Sequence, residues 1–154
     1  MIKLLLVGKT TDKHLAALIA DYEQRLTHYV PFEVKVIPDL KQGKLSFEQQ
    51  KTMEGERILA SVPGSARLIL LDERGSQFRS VEFAGYIQKQ LCATPNIVFV
   101  VGGAYGFSQA VYDRADAMVS LSKMTFSHQM IRLLFIEQLY RAMTILRNEP
   151  YHHE

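Results

Sequence analysis

The sequence predicts an α/β protein: one mainly parallel sheet with helices on both faces. Three observations carry this. Apolar runs of strand length alternate with helix-period patterns along the whole chain, in the order β-α-β-α-β-α-β-α-β-α. Several of the runs, Ile97–Val101 and all but Lys3 of Ile2–Val7 among them, are continuously apolar, as strands buried on both faces are. Three of them stop abruptly at small or polar residues. Leu68–Leu71 runs into Asp72-Glu73-Arg74-Gly75, Val98–Val101 into Gly102-Gly103-Ala104-Tyr105-Gly106, and Met118–Leu121 into Ser122-Lys123-Met124-Thr125. Ligands of such sheets settle in crevices at the carboxyl ends of the strands, so these three ends are expected to share one rim.

Ile2–Val7 is the first strand and ends at Gly8. Thr10, Thr11 and Asp12 are cap-type residues ahead of a helix that is expected to bury Leu15, Leu18, Tyr22 and Leu26. Phe32, Val34 and Val36 alternate with Glu33 and Lys35, the pattern of a half-exposed strand near a sheet edge. A loop from Pro38 to Gly43 follows, with Lys41 and Lys44 adding positive charge. Ser46 and Gln49 have capping-box spacing and start a helix to about Ser61, which Pro63-Gly64 breaks. Arg67–Leu71 is the next strand, and Ser80 is expected to cap a helix to about Leu91. Pro95-Asn96 turns the chain into Ile97–Val101, Ser108 opens a short helix, and Ala117–Leu121 is the last strand. The final helix, His128 to Arg147, spreads its main apolar residues over an arc of ~200° when they are placed at ~100° intervals. Ile131, Leu134, Phe135, Ile136, Leu139, Ala142, Met143, Ile145 and Leu146 occupy it. One sheet face rarely covers so wide an arc, so a homodimer formed through this helix is expected.

At 154 residues and 47% hydrophobic, the chain is expected to form one domain with a substantial core. No apolar run is long enough to span a membrane, and the amino-terminal run lacks a signal peptide's cleavage site, so a cytoplasmic protein is expected. The one cysteine, Cys92, excludes an internal disulfide and a cysteine metal cluster, and its helical setting reads as a buried thiol. A net charge of +2 is small for a dedicated nucleic-acid binder, so any RNA contact must be local and shaped.

GGAYG lacks the spacing and the later acid of a dinucleotide fingerprint, and the lysine and hydroxyl of a phosphate-cradling loop. His14 and His28 read as surface residues, and His128 as a structural one bonded to a nearby carbonyl. Arg132, Arg141 and Arg147 on the last helix, with Lys123 just before it, are candidates for an RNA-facing patch, since arginine forks suit phosphate oxygens. Glu137 lies four residues before Arg141, at ion-pair spacing along a helix. Two other functions stay open on the residues alone. One is a nucleotide-binding enzyme of flavodoxin-like type, with Gly8-Lys9-Thr10-Thr11-Asp12 as its phosphate nest. The other is a non-catalytic RNA-binding or ribosome-assembly protein.

GGAYGFS, LSKMTFSHQMIRLLFIEQLYRA and the terminal PYHHE together resemble the RlmH family of SPOUT methyltransferases, over essentially the whole chain. The resemblance implies a C-terminal trefoil knot that nothing in the periodicity shows. It implies methylation of N3 of a pseudouridine in 23S large-subunit ribosomal RNA, with S-adenosylmethionine as methyl donor and a homodimer acting on RNA or ribosome. Carried onto this chain, the cofactor motif falls on Leu71, Gly102, Leu121, Ser122, Lys123, Met124, Thr125 and Phe126. Leu121, Met124 and Phe126 are apolar walls in that reading, and the main chain of Ser122–Thr125 supplies donors and acceptors. Tyr151, His152 and Arg141 match the family's tail and helix motifs, while His153 stands where the family varies. Loss of the N3 proton calls for a base or for stabilisation of an anionic imide, and His152 is the first candidate.

Overall fold

The computed structural model describes residues 1–40, 43 and 45–153. Lys41, Lys44 and the terminal Glu154 lie outside the described residues. The strands are β1 (Ile2–Val7), β2 (Phe32–Ile37), β3 (Arg67–Gln77), β4 (Ile97–Val101) and β5 (Ala117–Ser120). They form one sheet in the order β2-β1-β4-β3-β5, and every adjacent pair is parallel. The helices between them are α1 (Lys13–Leu26), α2 (Phe47–Ala60), α3 (Ser80–Ala93), α4 (Gln109–Arg114) and α5 (Met130–Leu146). β2, with its alternating pattern, is an edge strand as expected.

Both sheet faces are covered, which is why the central strands carry no polar alternation. Successive side chains of a strand point to opposite faces. Leu4, Leu6, Phe99 and Val101 join Ile19 of α1, Phe83 and Ile87 of α3, and Phe135 and Leu139 of α5. Leu5, Val7, Val98 and Val100 meet Ile58 of α2 and Val111 of α4. Each such large side chain taken fully out of water contributes roughly 1.5–3 kcal/mol. Asp12, Ser46 and Ser108 cap α1, α2 and α4 through their side-chain oxygens, and the Ser46–Gln49 capping box is complete.

Several expectations are corrected. In α1 Leu26 is buried as expected, but Ile19 joins it in the core while Leu18 is exposed. Leu18 and Ile19 lie about 100° apart on the helix, and α5 packs on the Ile19 side, where Tyr22 meets Tyr140 edge to face. Ser80 is the first residue of α3 and not its cap; its hydroxyl donates to Gln138 of α5, and the Arg79 amide is held by Glu82. Cys92 is exposed near the end of α3. β3 does not stop at Leu71 but continues to Gln77, with a register shift between Leu71 and Ser76. That polar stretch has little strand propensity, and pairing with β5 holds it extended. Gly75 makes the pairing possible, because a Cβ there would stand 2.5 Å from the Val119 amide nitrogen.

The largest correction concerns Arg132. It is fully buried and faces no RNA. Its guanidinium donates to the carbonyls of Val7 at 2.7 Å and Gly8 at 2.8 Å, to Thr10 Oγ1 at 3.1 Å and to the His128 carbonyl at 3.1 Å. It therefore pins the start of α5 to the carboxyl end of β1.

Candidate functional site

The carboxyl ends of β3, β4 and β5 enclose a crevice of about 690 Å³, within the range of small-molecule sites. The strand order places β4 between β1 and β3, so the chain leaves neighbouring strands in opposite directions here. Leu71, Gly102, Leu121, Ser122, Met124, Thr125 and Phe126 all line the crevice, and Lys123 does not. Met124 is 77% exposed and Phe126 is also exposed, so neither serves as core packing. The loop after β5 is shaped by its own serines. The Ser120 hydroxyl donates to the Ser122 carbonyl, and the Ser122 hydroxyl accepts from the Met124 amide. The glycine loop after β4 closes on itself through a Gly106 amide to Gly103 carbonyl bond. Gly106 has φ +80°, a conformation that favours glycine.

One wall is charged. Asp72 and Arg74, on the bulged part of β3, and Tyr112, on α4, all line the crevice. The Tyr112 hydroxyl and the Arg74 amide and guanidinium donate to the Asp72 carboxylate, and Arg74 lies over the Tyr112 ring at 4.6 Å. Burial alone would push the Asp72 carboxyl up. The bonds from Tyr112 and Arg74 outweigh it and hold the group below its ordinary value. Tyr112 moves the other way, raised by burial and then by its bond to Asp72. The sequence offered no motif for Tyr112; its place four residues after the Ser108 cap was the only signal.

Arg141, Tyr151 and His152 come together, but none of them lines this crevice. Arg141 pairs with Glu137 at 2.7 Å, lies 4.7 Å over the Tyr151 ring, and donates to His152 Nδ1 at 3.2 Å. A guanidinium has no acceptor, so Nδ1 must accept and the neutral ring carries its proton on Nε2. The Tyr151 hydroxyl donates to Glu137 at 2.9 Å and lies 3.2 Å from that of Tyr22. Burial, then these two bonds, raise its pKa. The carboxyl-terminal tail is thus docked on α1 and α5.

Other candidates resolve individually. His14 and His28 are exposed, as expected. The His128 carbonyl is bonded by Arg132, while the residue as a whole is exposed on the crevice lining. Arg147 donates to the His28 carbonyl and stacks on Tyr29. The Gly8–Asp12 loop is engaged by α5 and its flank: the Thr11 amide donates to Gln129, Gln129 donates to the Lys9 carbonyl, and Arg132 takes Gly8. Of the amides a phosphate nest would need, Thr11 is thus taken by Gln129 and Gly8 by the Ile37 carbonyl. Among the described residues, no group of His, Cys, Asp and Glu is placed to hold a metal ion, and no helix is long and apolar enough to cross a membrane.

Comparison with known proteins matches nearly the whole chain. A ribosomal RNA large subunit methyltransferase H from Parabacteroides distasonis is 57% identical over 155 residues, covering 99% of each chain. One from Christiangramia forsetii is 58% identical over 154 residues, covering 99% of this chain and 98% of the relative. Another from Porphyromonas gingivalis is 57% identical, again over 99% of each. The family described as predicted SPOUT methyltransferase matches residues 1–152, and to that family this chain belongs.

Proposed function

We propose that the protein methylates 23S large-subunit ribosomal RNA with S-adenosylmethionine as donor, at N3 of a pseudouridine. The observation that carries this is the convergence of Leu71, Gly102, Leu121, Ser122, Met124, Thr125 and Phe126 on one crevice. The residues suit an adenosyl ligand. Leu71, Leu121, Met124 and Phe126 provide apolar wall, and the main chain of Ser122–Thr125 provides polar groups for an adenine edge. Asp72, held ionised, provides negative charge near a cationic donor. When bound, the donor supplies an electrophilic methyl group on a sulfonium. The chain's own task is to hold the acceptor base in line with that methyl, exclude water, and stabilise the imide as its N3 proton leaves.

His152, with Nδ1 bonded to Arg141, suits positioning better than proton abstraction. Because Tyr151, His152 and Arg141 lie off the crevice of their own chain, the proposal includes a homodimer through α5 in which each tail completes the partner's site. The half-buried Ile131, Leu134, Ile145 and Leu146 support that contact. The trefoil knot of the family is part of the same proposal.

Thermal melts with S-adenosylmethionine, its demethylated product, ATP and NAD test the donor. A ligand that binds only the folded state adds ~2.7 kcal/mol at 100 times its Kd. The first two should raise Tm and the last two should not; no shift with saturating S-adenosylmethionine would remove the reading. For the tail, a chain cut after Pro150 is co-expressed with a Gly102→Trp chain, in which the crevice is filled. A trans arrangement leaves the purified heterodimer one working site of two, at about half the wild-type rate if sites are independent. An inactive, folded heterodimer that binds donor in one crevice would show that each tail serves its own chain.

A further inference from the structure

We infer that Phe47 and Tyr105 form a stacking platform at the mouth of the crevice for an unpaired RNA base, an inference that rests on the RNA-methyltransferase reading above. Phe47 opens α2 and is 65% exposed, and Tyr105, in the glycine loop after β4, is 42% exposed. Their ring centroids are 4.4 Å apart with an interplanar angle of 31°. Tyr105 lines the crevice and Phe47 does not, so the pair extends the site outward over its rim.

The platform is held from below. α2 runs alongside the loop, with Glu54 against Gly103 and Gly55 against Ser108, while Phe47 meets Tyr105. The loop is further closed by the Gly106 to Gly103 bond. Two large rings left in water beside a ligand crevice mark an interaction surface. Their shape selects the occupant. A planar π face suits a nucleobase, and proteins that read unpaired RNA stack its bases on aromatic side chains. The chain's net charge of +2 leaves phosphate attraction a small role, so stacking is the means by which this surface gains affinity. The chemistry also creates the need. Drawing a target base out of its stack leaves that base and its neighbour without a partner, and rings at the crevice mouth supply one.

The test uses the full-length protein. The probes are a short single-stranded RNA carrying 2-aminopurine, S-adenosylmethionine, and both free large-subunit RNA and assembled ribosomes for methyl transfer. Phe47→Ala should weaken RNA binding about five- to a hundredfold, abolish the stacking-dependent quench, and raise KM for RNA. Its donor Kd and sedimentation should match wild type, and Phe47→Tyr should restore binding. Unchanged RNA binding and KM in Phe47→Ala overturn the platform. So does a loss confined to donor affinity, which would assign the rings to the donor's adenine, or a loss of self-association, which would assign them to a second copy. A wild type that methylates nothing yet quenches the probe through Phe47 would leave the platform standing and sink the methyltransferase reading alone.

Discussion

Replacing Arg132 with Met keeps most of the side chain's length and removes its donors. The wild-type guanidinium satisfies two buried carbonyls, Val7 and Gly8, as well as Thr10 and the His128 carbonyl. Each buried acceptor left unsatisfied costs about 1–3 kcal/mol. Against this, the substitution relieves the burial of a charge. Burial is what pulls the Arg132 pKa down, with Asp39 only partly compensating. The net expectation is a loss of roughly 2–4 kcal/mol, a large fraction of a typical folding stability. For a chain of this size that lowers Tm by about 5–15 °C. Urea and thermal melts followed by circular dichroism measure it. Arg132→Lys should fall between, since an ammonium keeps the charge but cannot span both carbonyls. A Met variant that melts within about 2 °C of wild type would refute the pinning role. Weaker RNA binding at unchanged stability would instead return Arg132 to the RNA-facing patch.

Tyr112→Phe removes a bond to Asp72 and should cost about 1–2 kcal/mol at neutral pH. A depressed carboxyl contributes stability above its ordinary value and loses it as pH falls through the folded value. The variant should therefore lose stability at higher pH than wild type on acidification, and an unchanged Asp72 midpoint by carbon NMR would contradict this. At the alkaline end the sign reverses. Tyr29, raised by its bond to Glu149 and then by burial, and Tyr151, raised by burial and then by Tyr22 and Glu137, stabilise the fold fully below the ordinary phenol value of 10.0. That contribution is lost as pH rises through their folded values, so phenolate absorbance should show a late phase that Tyr29 and Tyr151 share with the likewise raised Tyr86 and Tyr112, and Tyr151→Phe should shrink it by one proton. Gly103→Ala would place a Cβ 2.8 Å from Oε1 of the buried Glu54 and should cost about 1–3 kcal/mol together with donor affinity. Combining it with Glu54→Ala should cost less than the sum of the single changes; strict additivity in a double-mutant cycle would deny the contact.

The parts of this protein that a single stretch of chain dictates were legible in the sequence. The β-α alternation, the five strands, the caps at Asp12, Ser46 and Ser108 and the strand ends that line the crevice each follow from residues within a few positions of one another. Periodicity and cap chemistry act over that range. Other features depend on partners that local patterns do not contain. Arg132 reads as a surface cation on a helix until the sheet brings Val7 and Gly8, more than a hundred positions away, against it. Leu18 and Ile19 fit the α1 period almost equally, and the position of α5 chose between them. Asp72–Gln77 looks like a loop until β5 offers it a pairing edge. Tyr151 looks like a fraying end until Tyr22, Glu137 and Arg141 surround it. Sequence alone determined which elements form and which strand ends border the crevice. Only the tertiary structure decided which polar side chains are buried, because burying a charge or hydroxyl is favourable only when distant groups arrive to bond it.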